Sequence, residues 1–74
     1  MRDQVNLLQE LEEHSGGPLA SARLLAVDYT GSYAKWKTER KNLPRYIRSS
    51  VLAHIALFKT RNLYLKDHVD GINN

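Results

Sequence analysis

The chain has 74 residues, with 11 lysines and arginines against 8 aspartates and glutamates, a net charge of +3 and no cysteine. Such a length makes one domain with a modest core, hiding only about 60% of the surface its unfolded form exposes. The absence of thiols excludes a disulfide framework and thiolate metal sites, and His14, His54 and His68 lack ligand spacing, so neither metal nor cofactor is expected.

Helix signals punctuate the chain and strand alternation is nearly absent. Asp3 reads as the cap of a first helix whose apolar positions Val5, Leu8 and Leu11, with Leu7 beside them, recur at helical spacing. Gly16-Gly17 ends it, and Pro18 suits the first turn of a second, short helix to about Ala26, built from Leu19, Ala20, Ala22, Leu24 and Leu25. Val27 to Gly31 reads as a turn. Either Asp28 or Thr30 serves as N-cap for a third helix reaching about Lys41, with Tyr33, Trp36 and Lys37 on one face and Gly31, Lys35 and Thr38 on the opposite one. Pro44 opens a fourth helix with the stripe Ile47, Val51, Leu52, Ile55 and Phe58. Residues 62–66 fit either a continuation of that helix or a short strand. Residues 1–68 are expected to form the domain and residues 69–74 a flexible tail.

No apolar run approaches the roughly 20 residues of a membrane span, and the N-terminus lacks the plan of a signal peptide. The expectation is a soluble cytoplasmic protein without membrane contacts. Charge is unevenly spread. Residues 35–48 hold Lys35, Lys37, Arg40, Lys41, Arg45 and Arg48 against Glu39 alone, an excess of five positive charges in fourteen residues. An asymmetric basic block on a small domain fits a polyanionic partner. By contrast Glu10, Glu12 and Glu13 read as a solvated helix face. Ser49 and Ser50 have no base spaced for activation and there is no glycine-rich phosphate loop, so the chain is not expected to be an enzyme.

Two short helices joined by a tight turn, the second basic and amphipathic, form the pattern of a helix-turn-helix. Ala22 is small enough for close helix approach, Leu25 plugs the angle between the helices, and Val27 pins the turn to the core. The stretch Ala22-Arg23-Leu24-Leu25-Ala26-Val27-Asp28, continued by Tyr33-Ala34-Lys35-Trp36 and later by Leu43-Pro44, resembles the lambda-repressor-like, Cro-type regulators of phages and bacteria. The resemblance covers about residues 5–58. It implies an all-α domain of four to five helices with its helix-turn-helix at about 18–41.

It further implies base reading by Thr30, Ser32, Lys35 and Thr38, and phosphate contacts from Lys37, Arg40, Lys41 and Arg45, on a palindromic operator in double-stranded DNA. The chain departs from that family in two places. Ala26 replaces a glycine of positive φ, and the span from Val27 to Trp36 is one residue longer, with Gly31 as the extra residue. Together they suggest a turn in which positive φ has moved to Gly31. The apolar residues Phe58, Leu63, Tyr64 and Leu65 look surplus to a core of this size and are expected at a homodimer interface. No small-molecule substrate is expected, and the domain has no evident room for an effector pocket. Two other readings fit the basic face: a protein-interaction module, such as an antitoxin or phage adaptor, and an architectural DNA-binding protein.

Overall fold

The computed structural model describes the backbone of residues 2–73 and the side chains of residues 3–61. Every regular element described is helical. In chain order these are α1 (Arg2–Ser15), α2 (Pro18–Leu24), a π-turn (Tyr29–Tyr33) running directly into α3 (Ala34–Lys37), and α4 (Arg45–Asn73). The all-α expectation is met at this level.

Helix α1 starts one residue earlier than its expected cap, so Asp3 lies inside the first turn. Its carboxylate instead accepts a hydrogen bond from Arg48 of α4 at 2.6 Å. The C-terminus closes as expected, with the N–H groups of Gly16 and Gly17 both donating to the Glu12 carbonyl at 3.0 Å. Gly16 has φ 104° and Gly17 φ 136°, a region L-residues rarely enter. Pro18 then sits in the first turn of α2, where its missing N–H would have been unpaired anyway.

Helix α2 ends at Leu24, short of the expected Ala26. The Ala26 N–H donates to the Arg23 carbonyl at 3.1 Å and the Val27 N–H to that of Ala22 at 3.0 Å. This paired closure needs a left-handed residue at the first position beyond the cap, and Ala26 supplies it with φ 57°. The expected transfer of positive φ to Gly31 is therefore corrected: it remains on the alanine.

Asp28, not Thr30, is the N-cap of the next helix. Its carboxylate accepts from the Gly31 N–H at 2.7 Å. Its carbonyl accepts from both Ser32, at 3.1 Å, and Tyr33, at 2.9 Å. The five-residue reach of the second bond marks a π-turn, which holds one more residue per loop than an α-turn. The turn therefore fits one more residue between Val27 and Trp36 than an α-turn would. Gly31 is needed for space rather than for φ, because a Cβ there would run into the Asp28 carboxylate.

The helix stops at Lys37, four residues before the expected Lys41. Glu39 takes φ 62°, and the Arg40 N–H bonds the Lys35 carbonyl at 2.9 Å while that of Glu39 reaches Trp36 at 3.3 Å. The same closure thus ends α2 and α3, each time without glycine. Beyond Pro44, α4 continues to Asn73. The alternative of a strand at 62–66 is thereby settled as helix, and the helical span takes in residues 69–73 of the expected tail.

The core joins Leu8 and Leu11 of α1, Ala22 and Leu25 around the first turn, Tyr33 and Trp36 of the next helix, and Ile47, Val51 and Ile55 of α4. Leu7, Val27, Leu43 and Phe58 pack at its edge. Two expectations change here. Leu52 belongs to the outside of α4 and is 49% exposed. Phe58 is not surplus, since it packs on the core and stacks on His14 with ring centres 5.7 Å apart. Leu63, Tyr64 and Leu65 lie outside the residues whose side chains are described.

Candidate nucleic-acid interface

The back of the segment from Tyr29 to Lys37 is held by aromatic packing. Tyr33 is fully buried, stacks on Tyr29 at 6.1 Å and meets the edge of Trp36 at 6.5 Å. Its hydroxyl donates to Glu12 of α1 at 2.6 Å. Burial disfavours the phenolate, and the bond to Glu12 adds to this, so the Tyr33 pKa is raised well above the ordinary value. The same Glu12 oxygen pairs with Lys37 at 2.9 Å. Glu12 is therefore no solvated acid, as its place in an acidic run suggested, but the joint between α1 and the basic segment.

Lys37 is drawn inward by this pair. Of the four cations expected to meet phosphate, it alone has an ion partner among the described residues. Arg40, Lys41 and Arg45 are exposed and form no ion pair with the described residues, nor does Lys35. Arg48 is engaged by Asp3, whose pKa this hydrogen bond and the guanidinium charge hold below the usual carboxylate value.

Among the expected base readers, Thr30 and Lys35 are exposed on the π-turn and α3, and Ser32 is half-buried. Thr38 is exposed but lies at the helix cap, with its hydroxyl donating to the carbonyls of Ala34 at 3.1 Å and Lys35 at 3.2 Å. These bonds point its hydrogen back into the chain and leave the oxygen as an acceptor.

One positioning residue escaped the sequence reading. Gln4 is 6% exposed and donates to the carbonyls of Trp36 at 2.8 Å and Lys41 at 3.0 Å. It also accepts from the Leu43 N–H at 3.1 Å. A single amide from α1 thus fixes the loop carrying Arg40 and Lys41. The signal was present: Gln4, Leu8 and Leu11 share the i, i+4, i+7 stripe, and a polar side chain on a core stripe needs partners. The Trp36 indole N–H, also buried, finds no acceptor among the described residues.

Two open hollows flank Lys37 and Thr38. One of about 300 Å³ is lined by Val5, Asn6 and Glu39 besides, the other, of about 230 Å³, by Glu12, Pro18, Tyr29, Tyr33 and Ala34. Both are open surface depressions rather than enclosed cavities. Among the described residues no cluster of three or more His, Asp or Glu is placed to hold a metal ion, and no helix is long and apolar enough to cross a membrane. No protein-family model, curated protein or solved structure matches the chain.

Proposed function

We propose that this protein is a sequence-specific DNA-binding transcriptional regulator of the Cro-like helix-turn-helix kind. On this reading α2 and the helix from Tyr29 to Lys37 are its two helices, and the second enters the major groove. One observation carries the reading. Lys35, Arg40, Lys41 and Arg45 form an exposed cationic run without ion partners among the described residues, while the acids of α1 that face the domain are paired. Cations left unpaired on one segment are what phosphate neutralisation requires. Thr30 and Lys35 offer a hydroxyl and a bidentate-capable donor to base edges, with Ser32 and Thr38 at the margins. The protein then acts in the cytoplasm as a prophage-type repressor, two copies on a palindromic operator.

The structure sharpens the electrostatic expectation. With Lys37 engaged by Glu12, three phosphate contacts remain per protomer, so log K against log salt should slope by about −2.7 per protomer on duplex DNA. Titration of a random duplex at several salt concentrations measures it. Lys41→Ala should reduce the slope by about one unit without changing sequence preference, whereas Lys35→Ala should relax the preference recovered from a random DNA pool. Absence of salt-dependent binding would overturn the proposal and favour an acidic protein as the partner of the basic run.

A further inference from the structure

Helix α4 carries a second seam on the side away from the core. Tyr46, Ser49, Ala53, Ala56 and Thr60 repeat at spacings of three, four, three and four, which is the seam of a helix pair. All five are exposed, and Leu52 and Leu57 wall the line on either flank. Tyr46 is 75% exposed, Leu52 49% and Leu57 66%. No Asp, Glu, Lys or Arg occurs from Ser49 to Phe58, in a chain where 26% of residues are charged. An apolar, uncharged helix face on so small and basic a domain marks a contact surface.

We propose that this face pairs antiparallel with the same face of a second copy. The pattern is self-complementary: Ser-x-x-Leu-Ala-x-x-Ala-Leu-x-x-Thr, from Ser49 to Thr60, reads almost alike in both directions. A two-fold axis between His54 and Ile55 sets Ala53 against Ala56 of the other copy and Ser49 against Thr60. Two-fold contacts demand such inversion symmetry, because each patch must fit its own copy. The small residues allow axes about 8 Å apart, at the close end of helix packing. The face is also where two copies that both carry net positive charge meet without opposing charges. This surface differs from the Phe58 region, which the core of each copy occupies, and does not depend on DNA binding.

Area sets the strength. Tyr46, Leu52 and Leu57 together expose about 400 Å², taking about 200 Å² for a large side chain in full exposure. These three supply about half the roughly 800 Å² per partner of a stable complex, and the other exposed side chains of the seam are small, so the pair is weak and reversible. Sedimentation of the full chain from micromolar to millimolar concentration should show its mass rising from one copy to two. Ala53→Glu should abolish the rise, and so should Leu57→Gln. The double variant Ala53→Glu, Ala56→Lys should restore it, because the antiparallel register sets each glutamate against a lysine; a parallel pair would set like charges together and give no rescue. Far-UV circular dichroism of each variant at low concentration checks that these exposed substitutions leave the fold intact. A wild-type chain that stays at the mass of one copy throughout overturns the proposal, as does an Ala53→Glu variant that associates like wild type.

Discussion

Replacing Gln4 by alanine removes three hydrogen bonds from a single amide. The bond to the Trp36 carbonyl is buried, and those to Lys41 and Leu43 are partly buried. A buried backbone group left without a partner costs about 2 kcal/mol, within a range of 1–3, while a bond whose partner regains water costs about 0.5–1. The sum is about 3–4 kcal/mol. A chain of this length has about 4–11 kcal/mol in total, so the substitution removes a large share of it. At 4–8 °C per kcal/mol for a small domain, the melting temperature should fall by about 12–30 °C. Trp36 is the one tryptophan of the chain and its carbonyl is a Gln4 partner, so its fluorescence and the far-UV circular dichroism should report the same transition. Gln4→Glu is a demanding control. It keeps shape and the acceptor for Leu43 but turns a carboxylate toward two carbonyls, and should destabilise at least as much at neutral pH. If Gln4→Ala lost less than about 1 kcal/mol, the latch would be incidental and the loop held by other means.

Four other substitutions test local reasoning by denaturant titration or melting. Ala26→Gly should stabilise by about 0.5–1 kcal/mol, since relief of left-handed strain exceeds the added entropy of the unfolded chain. Gly31→Ala should destabilise by about 1–2 kcal/mol through loss of the Asp28 cap, but cost much less in an Asp28→Ala background, where the colliding carboxylate is gone. Additive losses in that double-mutant cycle would refute the collision. Tyr33 sets alkaline behaviour: its folded pKa lies above the unfolded value near 10, so the unfolded state releases the proton first and stability falls as pH rises beyond that point. The loss should approach about 1.4 kcal/mol per pH unit in denaturant titrations, and Tyr33→Phe should flatten it. Asp3 works in the opposite sense, its depressed pKa giving stability above the usual carboxylate range that is lost on acidification; Asp3→Asn should remove that part of the acid dependence.

Local chemistry made much of the fold legible in the sequence. Helical spacing marked Leu8 and Leu11, Tyr33 and Trp36, and Ile47, Val51 and Ile55, because burial on one face repeats with the helix period. Gly16-Gly17 and Pro18 announced a boundary, since few other residues tolerate those backbone states. In α4 the same periodicity placed Leu52 on the stripe beside Val51, whereas it lies on the outer side of the helix. Tertiary structure decided whatever depends on partners far apart in the chain. Gln4 reaches carbonyls 32 and 37 residues away, and Tyr33 reaches Glu12 across 21. Nothing local distinguishes Glu12 from Glu10 or Glu13, or Lys37 from Lys35, until the helices pack and one oxygen faces one ammonium. The π-turn is of the same kind. Nothing local in Val27 to Trp36 marks a turn of five-residue reach. It appears only where Tyr33 and Trp36 are both buried behind the turn capped by Asp28.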